Sequence, residues 1–273
     1  MIALGLVAAA SVVGAMLFDW ADRKAESRLQ AAIQGQVATL DRVPPPALRQ
    51  GPVVVIVGTS LIHAALQMAG TPLDKFPASM KLVVLSGNNR KAEWFDGLVP
   101  ALRRAHPDLI LFEPRVLFAI GEEPGLPGRL HNLLLAILPP GHRKGPPPVC
   151  QGLILRRSPA VAGTGKVYQW VYDPARLHLD RLPVLESLRA EGIEVGVLDL
   201  PRARELEAAA PNMALWHIEL TKRLMAKGFS LWSPPGEWPA VDFCDMAHLN
   251  HEGALLFDDW LSAQLKQKFA IAP

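Results

Sequence analysis

The sequence has very few cysteines and no concentration of positive charge. Cys150 and Cys244 are the two cysteines among 273 residues, too few for a disulfide-rich scaffold and without the Cys-x-x-Cys spacing of a zinc or redox site. One disulfide bridge and two free, partly buried thiols both remain open. The formal net charge is +2 and no run of five Lys or Arg residues occurs, which argues against nucleic acid as a partner.

Apolar residues, by contrast, are plentiful. They make up 50% of the sequence, against 20% charged residues, which predicts a folded chain with a well-buried core rather than disorder. The length of 273 residues leaves room for one large domain or two small ones.

The N-terminus is apolar and without charge over its first 18 residues. We predict a transmembrane anchor over residues 1–20 that ends at Trp20, a residue type common at membrane interfaces. A cleaved signal peptide is an alternative, because Val13-Gly14-Ala15 offers small residues to a signal peptidase, and a buried or oligomerising helix of a soluble protein is another. Residues 21–50 are predicted to form a helical stalk and a linker.

Four continuously apolar segments, separated by stretches long enough for helices, predict a parallel sheet. A strand that is buried on both faces needs continuous rather than alternating apolarity. The predicted fold class is therefore α/β, a three-layer α/β/α sandwich with a mostly parallel sheet, over residues 51–273. The predicted strands are residues 52–57, 81–85, 108–112 and 194–198, and later helices are predicted at 182–190, at 202–227 with a break near Pro211, and at 252–268.

Residues 121–165 interrupt this pattern with proline-rich stretches and are predicted to form an insertion or lid. Tyr168, Trp170 and Tyr172 follow closely. These aromatic residues either line a sugar-binding face or pack the insertion against the sheet.

Polar residues follow the first two predicted strands, at the sheet edge where ligands bind in open α/β folds. Ser60 comes directly after the first strand, and Gly87, Asn88 and Asn89 come after the second. Ser60 is a candidate nucleophile, and its backbone N–H together with the other three residues is a candidate oxyanion hole. A helix cap at Ser60 and a simple turn at the second strand are the alternatives.

Asp245 and His248 lie on one predicted loop before the last helix. This spacing allows the carboxylate to hold one imidazole nitrogen while the other faces Ser60, which completes a Ser-His-Asp set. A zinc site formed with His63 and His251 is an alternative, but no helical His-x-x-x-His pair or thiolate ligand supports it. The sequence indicates no cofactor.

These motifs resemble the first, second and fifth sequence blocks of the SGNH (GDSL-like) hydrolase superfamily, and the resemblance covers residues 53–269. It implies a flavodoxin-like fold in which Ser60 is the nucleophile, His248 the general base and Asp245 its orienter. The N–H groups of Ser60 and Gly87 would then contribute to the oxyanion hole.

One departure from the superfamily pattern follows the third strand. The superfamily usually has Gly-x-Asn there, whose Asn completes the oxyanion hole, whereas this chain has Glu113-Pro114-Arg115. Asn88, Asn89 and Arg115 are the candidates to replace the missing donor.

A membrane-tethered domain of this kind also resembles the periplasmic SGNH proteins of polysaccharide O-acylation systems. That resemblance implies a serine-dependent carbohydrate O-acyl esterase or acyltransferase, for O-acetyl groups in particular, that acts on an exported polysaccharide through an acyl-enzyme. It also implies a single-pass inner-membrane protein with a periplasmic catalytic domain and a membrane O-acyltransferase as partner. The alternatives are a catalytically silent glycan-binding or scaffold protein of a synthesis complex, and a lipid or thioester hydrolase with an apolar pocket.

Overall fold

A computed structural model describes residues 2–68, 76–86, 92–118, 133, 172–177, 179–245 and 247–271. The chain divides into two compact units, residues 1–38 with 121–147, and residues 39–120 with 148–273. Helix α1 (Ile2–Leu40) supplies nearly all of the described part of the first unit. Within the ranges given above, no helix has the combination of length and apolarity that crossing a membrane requires.

The predictions for residues 1–50 as an anchor and a stalk with linker therefore stay predictions. The predicted insertion, residues 121–165, lies outside the described residues except for Leu133, and Tyr168 and Trp170 also lie outside them.

The second unit contains a five-stranded parallel sheet with helices on both sides, which confirms the predicted fold class. The order of the strands is β2-β1-β3-β4-β5, so that the chain adds β2 on one side of β1 and the remaining strands on the other. The strands are β1 (Val53–Gly58), β2 (Lys81–Ser86), β3 (Leu109–Phe112), β4 (Glu194–Leu198) and β5 (Ser230–Trp232).

The central strands form the core because they are apolar at every position. All six residues of β1 and all four of β3 are buried, as expected for strands covered on both faces. The edge strands β2 and β5 are partly exposed. Strand β5 was not among the predicted strands, since its three residues include a serine and are not buried.

In the described residues, seven further α-helices connect and cover these strands. The predicted helix over residues 202–227 is two helices, because Pro211 lacks an amide hydrogen and begins a new helix directly after Ala210. The helices are α2 (Ser60–His63, continued by a π-helical turn Ala64–Met68), α3 (Ala92–Ala105), α4 (Pro114–Phe118), α5 (Leu182–Ala190), α6 (Arg204–Ala209), α7 (Pro211–Ala226) and α8 (His251–Lys268).

The segment between α1 and β1 is fixed to the amino end of the sheet by Arg49. Its side chain is only 7% exposed and donates to the carbonyl oxygens of Pro44 and His106, both at 2.9 Å. It also forms an ion pair of 3.3 Å with Asp108, whose carboxylate accepts the backbone N–H of Val53 at 2.7 Å. These contacts define the amino edge, so the opposite, carboxyl edge is the open one for a ligand.

Candidate active site

The candidate site lies at the carboxyl ends of β1 and β3. These neighbouring strands are where the strand order reverses direction, and such a switch point leaves a crevice between the loops that follow the strands. Ser60 follows β1 after a single residue and begins α2, while Glu113 directly follows β3.

Ser60, His248 and Asp245 form a hydrogen-bonded relay. The Oγ atom of Ser60 lies 2.9 Å from Nε2 of His248, and Nδ1 of the same ring lies 2.8 Å from Oδ2 of Asp245. When Nδ1 carries the proton, its N–H donates a hydrogen bond to the Asp245 carboxylate. Nε2 then has a free lone pair, which accepts a hydrogen bond from the Ser60 hydroxyl. The structure thus brings together the three residues that the sequence predicts, in an order suited to nucleophilic catalysis.

Asp245 also stabilises the conformation of the loop that carries His248. Its Oδ1 atom accepts the backbone N–H groups of His248 at 2.8 Å and of Ala247 at 3.3 Å. Partial burial alone would raise the pKa of Asp245, but the hydrogen bonds from the ring and backbone of His248 outweigh it, so that the pKa lies below its ordinary value. The carboxylate is therefore ionised when the base has to accept a proton.

The loop is held against helix α8 by the residues that follow His248. Asn250 caps α8 through an acceptor bond of 2.9 Å from the N–H of Gly253, and its own N–H donates to the carbonyl of Asp242 at 2.9 Å. A Cβ atom at Gly253 would lie 2.3 Å from that same carbonyl oxygen, so only glycine allows the loop to pack this closely. The motif Leu249-Asn250-x-x-Gly253 thus positions the base through its local geometry.

Glu113 takes a place that the sequence analysis did not predict. The superfamily pattern would put the first residue of Gly-x-Asn here, but the Glu113 side chain is 3% exposed and turns toward Thr59, the residue before Ser60. Its Oε2 atom accepts the Thr59 N–H at 2.7 Å and lies 2.8 Å from the Thr59 hydroxyl. Burial raises the pKa of Glu113, while the nearby charge of Arg115 lowers it in part.

The oxyanion-hole prediction is only partly within the described structure. Gly87, Asn88 and Asn89 lie outside the described residues. Ser86, which precedes them, is buried and hydrogen-bonded at 2.5 Å to the Gln67 side chain. The N–H of Ser60 and the side chain of Arg115 are the other candidate donors, and Arg115 borders the cleft described below.

The zinc alternative has no support in the part of the chain that the structure describes, where no three metal-ligating side chains converge. His63 instead contacts Gln67 at 2.7 Å through Nδ1. Both ring nitrogens of His248 are engaged by Asp245 and Ser60, and His251 is exposed at the start of α8.

A small cleft beside the triad is bordered by residues from α4, from the segment between β4 and α6, and from α7. Its lining includes Leu61 and Ala247, the neighbours of Ser60 and His248, and a partly buried cluster of four residues. Asp199 directly follows β4, so the rule that ligands bind at carboxyl edges would have predicted it. The cluster consists of Tyr172, Asp199, Arg202 and His217.

The cluster is held together by charge and stacking. Arg202 donates to Asp199 at 2.8 Å, and Nδ1 of His217 lies 3.6 Å from the same carboxylate. Tyr172 is 4% exposed and stacks on His217 with ring centroids 5.7 Å apart. Tyr172 therefore packs in the core of this unit while it borders the cleft.

Cys244, next to Asp245, is part of a disulfide. The sequence has one other cysteine, Cys150, which lies outside the described residues. Because Cys150 is not described, a bridge between the two cysteines stays a prediction.

Comparison of the sequence with protein-family profiles and with curated proteins gives no match. The structure is similar to that of a protein from Bacteroides fragilis NCTC 9343 assigned as an acylhydrolase, at 12% identity, covering 86% of this chain and 96% of that one with a TM-score of 0.50. A GDSL-like lipase from Bacteroides thetaiotaomicron is also similar, at 12% identity and a TM-score of 0.45, covering 81% and 93% of the two chains. So is a lipopolysaccharide acetyltransferase periplasmic domain from Salmonella ser. Paratyphi A, at 10% identity and a TM-score of 0.40, covering 80% and 83%.

The chain therefore shares its fold with the Bacteroides fragilis protein. The site adds what a fold likeness cannot supply, a serine, a base and a carboxylate in hydrogen-bonding sequence. Such an arrangement can attack an ester carbonyl and form an acyl-enzyme.

Proposed function

We propose that this protein is a serine-dependent O-acyl esterase or acyltransferase that acts on a carbohydrate polymer, with O-acetyl groups as the substrate class. The observation that carries this proposal is the relay from Ser60 Oγ to His248 Nε2 at 2.9 Å and from His248 Nδ1 to Asp245 at 2.8 Å. A catalytically silent scaffold would have no need to keep these three side chains aligned.

In the proposed reaction, Ser60 Oγ bonds to the ester carbonyl carbon while His248 Nε2 accepts the hydroxyl proton. The carbonyl oxygen becomes an oxyanion, to which the backbone N–H of Ser60 is the proposed donor. When the bond to the sugar oxygen breaks, the imidazolium returns its proton to that oxygen and an acyl-enzyme remains. Water or a second sugar hydroxyl, deprotonated by His248, then takes the acyl group and restores Ser60.

The cleft beside the triad is small, about 20 Å³, which favours a short acyl group over the long chain of a lipid or thioester. We therefore propose that the acetyl part of the ester lies in this cleft beside Ser60, with the sugar as the leaving alcohol.

The proposed setting is outside the cytoplasm, with the N-terminal segment as a single-pass anchor in the inner membrane and a membrane O-acyltransferase as acyl donor. Its basis is the uncharged first 18 residues of the sequence. A reporter enzyme fused to the C-terminus tests this part separately. A cytoplasmic reporter would overturn the exported-polysaccharide substrate and leave the esterase chemistry intact.

Fluorophosphonate labelling of the full-length protein tests the nucleophile. We expect the wild type and Ser187→Ala, a matched change of a serine on α5, to label, and Ser60→Ala not to label. Equal labelling of Ser60→Ala, or no labelling of the wild type, would remove the nucleophile and leave the scaffold alternative.

Ester substrates that differ in the acyl group or in the alcohol then test the substrate class. An acetylated polysaccharide and p-nitrophenyl acetate are expected to be cleaved, and the palmitoyl ester with the same leaving group is not. Faster turnover of the palmitoyl ester would favour the lipid hydrolase. Release of acetate compared with acetate transferred to an added oligosaccharide distinguishes hydrolysis from transfer.

A further inference from the structure

The carboxyl group of Glu113 is buried, and its loss of hydration costs free energy. It directly follows the fully buried strand β3, and its side chain is 3% exposed. A buried acid destabilises a fold unless hydrogen bonds or opposite charges compensate for the lost hydration. Within the described part of the chain, the hydrogen bonds of this carboxyl group go to one residue, Thr59.

Thr59 is bound to Glu113 through both its main chain and its side chain. Its N–H donates to Oε2 at 2.7 Å, and its hydroxyl lies 2.8 Å from Oε2 and 3.0 Å from Oε1. The hydroxyl hydrogen therefore points to Glu113, which leaves the Thr59 oxygen to accept the N–H of Leu61 at 3.3 Å. Ser60 is the residue between these two anchored neighbours.

The packing around Glu113 allows this close approach. The residue before Thr59 is Gly58, and a Cβ atom there would lie 3.0 Å from Glu113 Oε2 and 2.1 Å from Cγ1 of Ile62. Any side chain at position 58 would thus displace either the carboxyl group or the first turn of α2. The end of β1, the turn and Glu113 form one packed unit.

Because the proposed function makes Ser60 the nucleophile, we propose that Glu113 is a positioning residue that acts through Thr59. Glu113 fixes the backbone of Thr59, on the amino side of Ser60. Through the Thr59 hydroxyl it also fixes the N–H of Leu61, on the carboxyl side. Together these contacts hold Ser60 Oγ in line with His248 Nε2. A displacement of a reacting group by about 1 Å can reduce a rate by about 100-fold. The chain thus uses the position after β3 to align the nucleophile.

The test compares Thr59→Val, which has nearly the same shape but no hydroxyl, with Thr59→Ser, which keeps the hydroxyl. Thr221→Val on α7 is the matched control for the loss of a threonine hydroxyl. The measurements are the second-order rate constant of fluorophosphonate labelling and kcat and KM for p-nitrophenyl acetate, per folded molecule as judged by circular dichroism.

We expect Thr59→Val to lower the labelling rate constant and kcat by about 10-fold to 100-fold with KM changed less than about 3-fold. Thr59→Ser and Thr221→Val are expected to stay within about 3-fold of the wild type. Glu113→Gln keeps one acceptor oxygen for Thr59 and replaces the other with an NH2 group, so it is expected to lower the same two rates less than Thr59→Val does.

Each outcome separates this role from a purely structural one. A contact that served stability alone would lower the unfolding temperature of Thr59→Val and leave its rate per folded molecule unchanged, which would overturn the proposal. If Thr59→Val does not fold, the same rates measured on Glu113→Gln decide. A wild-type protein that does not label would overturn the proposed function, and the positioning role with it, whereas a labelled wild type with unaffected variants would overturn the positioning role alone.

Discussion

We predict that His217 makes the stability of this fold sensitive to mild acid. The imidazole is 13% exposed and stacks on Tyr172, and its Nε2 atom has no hydrogen-bond partner among the residues that the structure describes. Burial, assisted by the positive charge of Arg202, lowers the pKa of His217 to about 3, although the Asp199 carboxylate acts in the opposite direction. The ring is therefore neutral in the folded protein throughout the physiological range.

The sign and size of the effect follow from proton linkage. The unfolded chain binds a proton on His217 near its ordinary value of 6.5, whereas the folded chain does so only near 3. The stabilisation is fully present above the ordinary value and is lost as the pH falls from there toward the folded value. Its steepest slope is about 1.4 kcal/mol per pH unit, which gives a loss of about 2.5 kcal/mol between pH 7 and pH 4.5.

Urea unfolding of the full-length protein at several pH values between these limits measures the loss. His217→Gln removes the titrating group, so its free energy of unfolding should fall by about 2.5 kcal/mol less than that of the wild type over the same range. Effects of groups that do not contact His217, including the Glu113 carboxyl with its raised pKa, are common to both proteins and cancel in the difference. The contribution of Asp199 does not cancel fully, because the charge of His217 helps to lower the pKa of that carboxyl.

Parallel pH dependence of the wild type and His217→Gln would refute the reasoning. It would mean that the imidazole is hydrated or protonated in the folded state, and the stacked arrangement with Tyr172 would then be wrong. A difference in absolute stability at pH 7 alone would not count, because the substitution also changes packing.

Two further predictions concern the site. Asp245→Asn is expected to lower kcat by about 1,000-fold to 10,000-fold with little change in KM. The amide oxygen can still accept hydrogen bonds from the loop N–H groups, but the amide NH2 favours the wrong tautomer of His248. Steady-state kinetics measure this, and a near-normal kcat would refute the role of Asp245 in orienting His248. Gly58→Ala is expected to cost about 1–3 kcal/mol in urea unfolding, because its Cβ would lie 2.1 Å from Ile62 Cγ1. A Cβ atom at Gly35 in α1 would meet no described atom within 4 Å, so Gly35→Ala is expected to be neutral or stabilising.

The strands that the sequence predicts agree with the structure to within one residue at each end for all four, because a strand covered on both faces must be apolar throughout. Strand β1, predicted at residues 52–57, is Val53–Gly58. Strand β5 is stabilised differently. Ser230–Trp232 is an exposed edge strand, and its position is fixed by backbone pairing with β4 rather than by burial of its side chains. Pairing of this kind leaves no mark on the hydrophobic pattern.

The triad was predictable for a related reason. Ser60 and the Asp245 to His248 loop carry local signals, a strand end and a short spacing between acid and base, and the structure joins them at 2.9 Å. The hydrogen bonds between Glu113 and Thr59 had no such signal, because they join residues 54 positions apart that follow two different strands. From sequence, Glu113 was visible only as a departure from a motif.

The energetic cost of burying an acidic side chain is compensated differently at Glu113 and at Asp199. Each is an acid directly after a buried strand, so each requires donors or a positive charge within reach. Asp199 is satisfied from its own loop by Arg202, three residues later, and their pairing therefore depends little on the rest of the sheet edge. Glu113 is satisfied across the sheet by Thr59, so its burial energy is tied to the conformation of the neighbouring turn. Because that turn holds Ser60, a change at Glu113 reaches the nucleophile, while a change at Asp199 first disturbs the wall of the cleft.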